Sequence, residues 1–387
     1  MARRCGAWVR ALRHWPGRKA WKRTRDRLRC VLGSDPALPA LQPREAVLRM
    51  APYSPPTGGR ADKLRLDFNE NTIGCSPKVV AYLKDALEAN LFAVYPEYGE
   101  TRAALAKFFA VDEPQIVLTN GTDEAIQVLV NTFVDDEDEV LVLHPSYAMY
   151  RFYSEVAGAH VKELSYRAGT LAFPLEELLA AITPATRAVL IANPNNPTGT
   201  GVGLPAIERI LQAAPHCAVL IDEAYFEFSK VTALPLVAKY PNLFVSRTFS
   251  KVFGMAAMRI GVILTQAQNA AMMRKCQSPY SVNLLGAIAV RAAIQDTEFV
   301  ESYVGEVLAA REMACAGLAK LGIRTYPSEA NFILFEAGDR SISIRDALRA
   351  RGVLVRDRSY EIAGCVRVTI GTRAQIERFL KELEQLW

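Results

Sequence analysis

The chain lacks the cysteine and histidine patterns that would announce a disulfide frame or a metal centre. Its seven cysteines (Cys5, Cys30, Cys75, Cys217, Cys276, Cys315 and Cys365) are scattered, odd in number and never spaced as C-x-x-C. Free thiols in a reducing, cytoplasmic setting are the expectation. The four histidines form no H-x-x-x-H pair, so no metal is expected. No apolar run approaches the roughly 20 residues of a membrane helix, which argues against a membrane partner. Acidic residues are nearly missing from the first thirty positions, where Asp26 stands alone against eleven Lys/Arg. The net charge of +5 is therefore local: the rest of the chain holds 35 basic and 40 acidic residues, a balance of −5. Such a body has no general nucleic-acid footprint.

What is present begins with organisation. Residues 1–49 carry three of the four tryptophans (Trp8, Trp15, Trp21) among arginines and end near Pro36, Pro39 and Pro43. A transit peptide, a basic amphipathic arm and a plain extension compete for this segment. The expectation is a poorly ordered extension, upstream of a natural start at Met50. No serine precedes Ser34, and no apolar signal core follows Arg3-Arg4.

From about residue 60 the pattern changes. Val140–His144, Ala188–Ala192, Ala218–Ile221, Leu243–Ser246 and Ile260–Leu264 are short apolar runs, each followed by a polar or turn segment. They predict strands buried on both faces of a mostly parallel sheet, with helices such as Thr122–Phe133 and Leu204–Ala214 between them. A helical stretch over Leu284–Leu321, strands near Phe332–Phe335 and Val366–Ile370, and a last helix Gln375–Leu386 predict a smaller α+β lobe. The expected class is α/β, with ligands gathering at the carboxyl ends of the strands. The expected divisions are an extension (1–49), an arm (50–76), a large domain (77–278) and a small domain (279–387).

The polar motifs hang on those strand ends. Lys251, in Ser250-Lys-Val-Phe-Gly254, follows one strand, and Arg259 lies eight residues on. A lysine amine kept neutral by burial and nearby cations can form a Schiff base. Asp222, in Asp222-Glu-Ala-Tyr225, ends another strand, where a carboxylate can pair with a protonated pyridine nitrogen. Asn196, in Asn193-Pro-Asn-Asn-Pro-Thr-Gly199, and Tyr225 can donate to a ring oxygen. Thr119-Asn-Gly-Thr-Asp123 leads into a helix, so Gly121, Thr122 and Asp123 offer N–H groups to an anion. Thr248, Ser250 and Arg259 complete a phosphate cup. Tyr147 can stack on a ring. Arg356 and Arg367 lie among apolar strand residues, where a guanidinium is costly unless an anion meets it. This is the equipment for pyridoxal phosphate.

With these residues the chain resembles the fold-type I pyridoxal-phosphate aminotransferases, and most closely the histidinol-phosphate aminotransferases. The resemblance runs from about Leu66 to Leu383 and rests on seven motifs. They are L-D-F-N-E-N (66–71), Y-P-E-Y-G-E-T-R (95–102), G-T-D-E (121–124), N-P-N-N-P-T-G (193–199), D-E-A-Y (222–225), S-K-V-F-G (250–254) and V-R-V-T-I-G-T (366–372). It implies a large cofactor domain with a smaller C-terminal one, and Lys251 as the catalytic residue. It implies that Tyr95 reaches the neighbouring subunit's cofactor site, hence a homodimer. It also implies that Asn71, Arg356 and Arg367 meet substrate. The implied reaction passes an amino group between L-histidinol phosphate and 2-oxoglutarate, yielding imidazole-acetol phosphate and L-glutamate. An aromatic amino-acid aminotransferase and a phosphothreonine-type decarboxylase on the same scaffold are the alternatives, and a non-catalytic role through the basic N-terminus is the rival of another class. Thr72-Ile73-Gly74-Cys75 departs from the proline that relatives often place after N-E-N, which bears on specificity.

Overall fold

The computed structural model describes residues 41–50 and 58–387. The expectations for residues 1–40 and 51–57 lie outside the described residues. Contacts separate the chain after Leu48, and Arg49–Trp387 is the larger unit. One short helix, Glu45–Arg49, spans that point.

Twelve strands occur among the described residues: β1 Leu64–Arg65, β2 Ile116–Thr119, β3 Glu139–His144, β4 His160–Ser165, β5 Thr186–Ala192, β6 Ala218–Asp222, β7 Leu243–Thr248, β8 Gly261–Leu264, β9 Phe332–Glu336, β10 Val353–Leu354, β11 Arg356–Asp357 and β12 Cys365–Thr369. Seven form one sheet in the order β2-β8-β7-β6-β5-β3-β4. Strands β7, β6, β5, β3 and β4 are parallel, whereas β8 is antiparallel to both β7 and β2. A second sheet, β11-β12-β9, is antiparallel, and β1 pairs with β10.

Side-chain alternation explains why the central strands read as unbroken apolar runs. Val189, Ile191, Val219, Ile221 and Val245 point into one core. Their neighbours Leu190, Ala192, Leu220 and Phe244 point into another on the opposite face. Both faces are covered, so both sets must be apolar. Each such Leu, Ile or Val contributes about 1.5–3 kcal/mol relative to an exposed position. β4 escapes sequence detection for the converse reason: it is an edge strand, His-Val-Lys-Glu-Leu-Ser, with no residue fully buried.

The stretch Leu284–Leu321 is two helices, Leu284–Ala293 and Thr297–Lys320, rather than one. The break falls at Asp296, whose carboxylate is held by Ser76 and, at 2.6 Å, by Lys78 Nζ. That tether fixes the chain at the N-terminus of the second helix. The last helix runs Arg373–Glu384, capped by Thr372 and Gln375 in a reciprocal box.

Arg247 on β7 illustrates how the interior tolerates charge. Its Nε donates to Glu223 Oε2 at 2.7 Å, and its guanidinium lies 3.5 Å from the Phe226 ring centroid. Both ionic partners are buried. Arg247→Met would orphan Glu223, and is expected to cost about 3–5 kcal/mol, read as a lowered urea midpoint. A midpoint equal to that of the wild type would contradict this.

Candidate active site

Adjacent parallel strands carry their carboxyl ends to one level. Asp222, the last residue of β6, registers with Ala192 on β5 and Ser246 on β7. The turns after these three strands therefore present Asn196, Tyr225 and Lys251 side by side. The antiparallel edge adds the rest, because Thr119 registers with Gly261. That pairing brings the helix start at Gly121 against Arg259. Gly121 has φ +77°, a left-handed conformation that favours glycine, and a Cβ there would lie 2.6 Å from Arg259 Nη2. Gly254 (φ +68°) likewise abuts the backbone of Gly74. The Thr72–Cys75 loop thereby packs on the turn that holds Lys251.

These elements enclose a cavity with about 600 Å³ of atom-free space, counted to its open mouth. Thr122, Asp123, Tyr147, Asn196, Asp222, Tyr225, Thr248, Ser250, Lys251 and Arg259 all line it. Tyr150, Ala192, Pro194 and Ala224 complete the wall.

Asp222 is buried and accepts from Ser246 Oγ at 2.7 Å and Tyr150 Oη at 2.8 Å. Burial pushes its carboxyl up. The hydrogen bonds from Ser246 and Tyr150, and the charge of Lys251, pull the other way. Neutral donors alone leave this carboxylate short of a countercharge, so a protonated ring nitrogen suits it. Lys251 Nζ donates to Phe68 O at 3.2 Å and lies 5.8 Å from the Tyr225 ring centroid. No described carboxylate forms an ion pair with it.

Asp123 spends its carboxylate on Tyr147 Oη, at 2.6 Å, and Arg259 Nη2, at 3.0 Å. What it can offer an anion is its backbone N–H. Ser250 N donates to Thr248 Oγ1 at 3.1 Å, which brings both hydroxyl-bearing residues to the same wall. The donor-rich wall around Thr122, Ser250 and Arg259 is chemically suited to a phosphate.

Arg367 is only 4 % exposed. Its Nη1 donates to Asn196 Oδ1, its Nη2 donates to Asp67 O at 2.7 Å, and its Nε is buried without a partner. Burial, then the charges of Arg358 and Arg356, push the guanidinium down to about 10. The bond from Arg367 also orients Asn196: Oδ1 is spent, and Nδ2 is the end left for the cavity. Arg356 registers directly across from Arg367, and its guanidinium lies 5.7 Å from the Phe68 ring centroid. Two cations opposite one another on a sheet repel. Arg356 opens onto a second cavity, with Arg345, Arg349 and Tyr360, rather than the first.

Neither Gly121 nor Arg367 lines the first cavity, and two further expected residues lie elsewhere. The buried Asn71 donates from Nδ2 to Val252 O at 2.8 Å, while its Oδ1 accepts from Ile73 N at 2.9 Å. It pins the turn after Lys251 and does not line the cavity. Tyr95 is 74 % exposed and stacks on Tyr280, with ring centroids 4.5 Å apart. Sequence reasoning missed Tyr150, Ser246, Asn69 and the ion pair of Arg358 with Glu361. Asn69 had a signal, since it shares L-D-F-N-E-N with Asn71. The others had none, for ordinary tyrosine, serine and surface-like charges announce nothing. Among the described residues no cluster could hold a metal, and no helix is long and apolar enough to cross a membrane.

Several known proteins are similar to this chain. Histidinol-phosphate aminotransferase 2 of Methylococcus capsulatus is 34% identical over 335 residues, covering 84% of this chain and 90% of that protein. The histidinol-phosphate aminotransferase of Symbiobacterium thermophilum is 35% identical over 355 residues, covering 88% of this chain and 97% of that protein. In fold, the chain matches the crystal structure of histidinol-phosphate aminotransferase from Sinorhizobium meliloti in complex with pyridoxal-5'-phosphate. The TM-score there is 0.77 at 23% identity, over 84% of this chain and 91% of that one. Residues 61–383 match the family Aminotransferase class I and II, and with these relatives the chain belongs to that family.

Proposed function

We propose that the protein is a histidinol-phosphate aminotransferase of L-histidine biosynthesis. It passes an amino group between L-histidinol phosphate and 2-oxoglutarate in two half-reactions at one site. The observation that carries the substrate class is the Arg356–Arg367 pair. The two residues pair directly across adjacent strands, and Arg367 is buried with no carboxylate partner among the described residues. Burying such charge is costly unless an anion meets it, and its fork suits carboxylate and phosphate alike. In this reading Arg367 takes the carboxylate of glutamate in one half-reaction and helps with the phosphate in the other, while Arg356 serves the phosphate end.

Pyridoxal 5'-phosphate, when bound, supplies the electron sink that lets a Cα proton leave. Asp222 holds the ring-nitrogen proton, and Tyr150 and Ser246 hold Asp222. Asn196 Nδ2 and the Tyr225 hydroxyl donate to the ring oxygen, and Tyr147 covers a ring face. Gly121, Thr122 and Asp123 through their N–H groups, with Thr248, Ser250 and Arg259, hold the phosphate. Lys251 is the amine that secures the cofactor and then moves the proton at Cα. Asn71 acts on substrate through the turn it pins.

The exposed Tyr95–Tyr280 stack supports a homodimer in which Tyr95 completes the neighbour's site. We further place the arm at 50–76, the large domain at 77–278 and the small domain at 279–387, in a cytoplasmic protein. The test is a donor panel with 2-oxoglutarate as acceptor. Histidinol phosphate is expected to exceed phenylalanine and tyrosine in kcat/KM by about 10²–10⁴-fold, as a site built around a polar group rejects analogues lacking it. Equal rates would move the reading to an aromatic aminotransferase. Carbon dioxide released from a phosphorylated amino acid, without a keto acid, would move it to a decarboxylase.

A further inference from the structure

We propose that Asn69 is a positioning residue that aims the Tyr225 phenol proton into the cavity. The inference rests on the reading that Tyr225 faces the cofactor's ring oxygen. Asn69 is 1 % exposed and holds a left-handed φ of +56°, a conformation asparagine tolerates better than most residues. Its carbonyl accepts from Asn331 Nδ2 at 3.2 Å. It lies in the arm, Tyr225 in the large lobe and Thr369 at the end of β12.

The hydrogen bonds have a forced direction. Asn69 N–H donates to Thr369 Oγ1 at 2.9 Å, and a backbone amide can only donate. The Thr369 hydroxyl, wholly buried, then gives its own proton to Asn69 Oδ1 at 3.0 Å. An amide turned the other way would leave that hydroxyl proton with no acceptor among the described residues, which burial penalises. The end facing Tyr225 is therefore Nδ2, which donates to the phenol oxygen at 2.9 Å.

A phenol oxygen that accepts from an amide keeps its proton for something else. No described protein group takes it, and Tyr225 lines the cavity with its ring held edge-on to Phe332, centroids 5.3 Å apart. The proton is thus reserved for a ligand acceptor. Asn69 touches no reacting atom, and it acts by denying Tyr225 the opposite orientation.

The experiment uses the cofactor-loaded protein and follows the pH at which the bound cofactor's visible absorption changes, with the cofactor dissociation constant as a second reading. Tyr225→Phe sets the size of the effect. Asn69→Asp replaces the donor by an acceptor of the same shape, which turns the phenol proton away from the cavity. It is expected to move the titration in the direction of Tyr225→Phe by at least half as much, and to weaken cofactor binding about 10-fold, the scale of one hydrogen bond. Thr369→Val should move it the same way and Thr369→Ser should restore it. Melting of the cofactor-free variants checks folding, and should Asn69→Asp not fold, the Thr369 pair decides alone. If Tyr225→Phe shifts the titration while the Asn69 and Thr369 variants leave it in place, the positioning role is overturned. If Tyr225→Phe itself shifts nothing, the placement of Tyr225 at the ring is what fails.

Discussion

A Lys251→Ala protein is expected to lose turnover by about 10³-fold or more, because on the proposed reading it removes both the amine that secures the cofactor and the positioned acid/base at Cα. The stability of the fold should barely change. Lys251 has no carboxylate partner among the described residues, and its Nζ bonds only the Phe68 carbonyl, at 3.2 Å. The measurement is a single-turnover reaction with histidinol phosphate, paired with thermal melting of the cofactor-free protein. Borohydride reduction and peptide mapping of the wild type should place a pyridoxyl label on this side chain and no other. Turnover at the wild-type rate in the variant would refute the assignment.

The second large effect concerns Arg367. Arg367→Gln is expected to lower kcat/KM for histidinol phosphate and for glutamate alike, by about 10²–10³-fold, the usual range for losing a buried charge-assisted contact. Both half-reactions suffer on the proposed reading, in which the same buried guanidinium meets both anions. It also fixes Asn196, so the loss reaches the cofactor's ring oxygen as well. Arg356→Gln should behave differently. Its guanidinium opens onto the neighbouring cavity, so the phosphorylated substrate should lose about 10-fold while glutamate keeps most of its rate. Steady-state kinetics on the two donors, one variant at a time, separates the roles. Identical profiles for the two variants would dissolve the division of labour between them.

The legible part of the site follows from strand burial. Strands covered on both faces are mostly apolar, so each shows where polarity begins near its end. Asp222, Asn196 and Lys251 stand at such ends, and parallel neighbours necessarily bring those ends together. Where a strand runs along an edge, as β4 does, one face meets solvent and the contrast fades. The helix break at Asp296 was hidden for another reason, since its cause is a tether to Ser76 and Lys78 far away in the chain.

The sequence by itself determined the α/β class, the order of the motifs and the residue types gathered at the strand ends, because periodicity and burial write those locally. Only the tertiary structure decided how the protons and charges are arranged. Asn71 turned out to hold Val252, Asn69 to hold Tyr225, and Arg367 to lie opposite Arg356 without a carboxylate. The two asparagine outcomes depend on hydrogen bonds between residues 156 to 300 positions apart, such as Asn69 with Tyr225 and with Thr369. Bonds of that reach leave no periodic trace along the chain, since either partner alone reads as an ordinary polar residue.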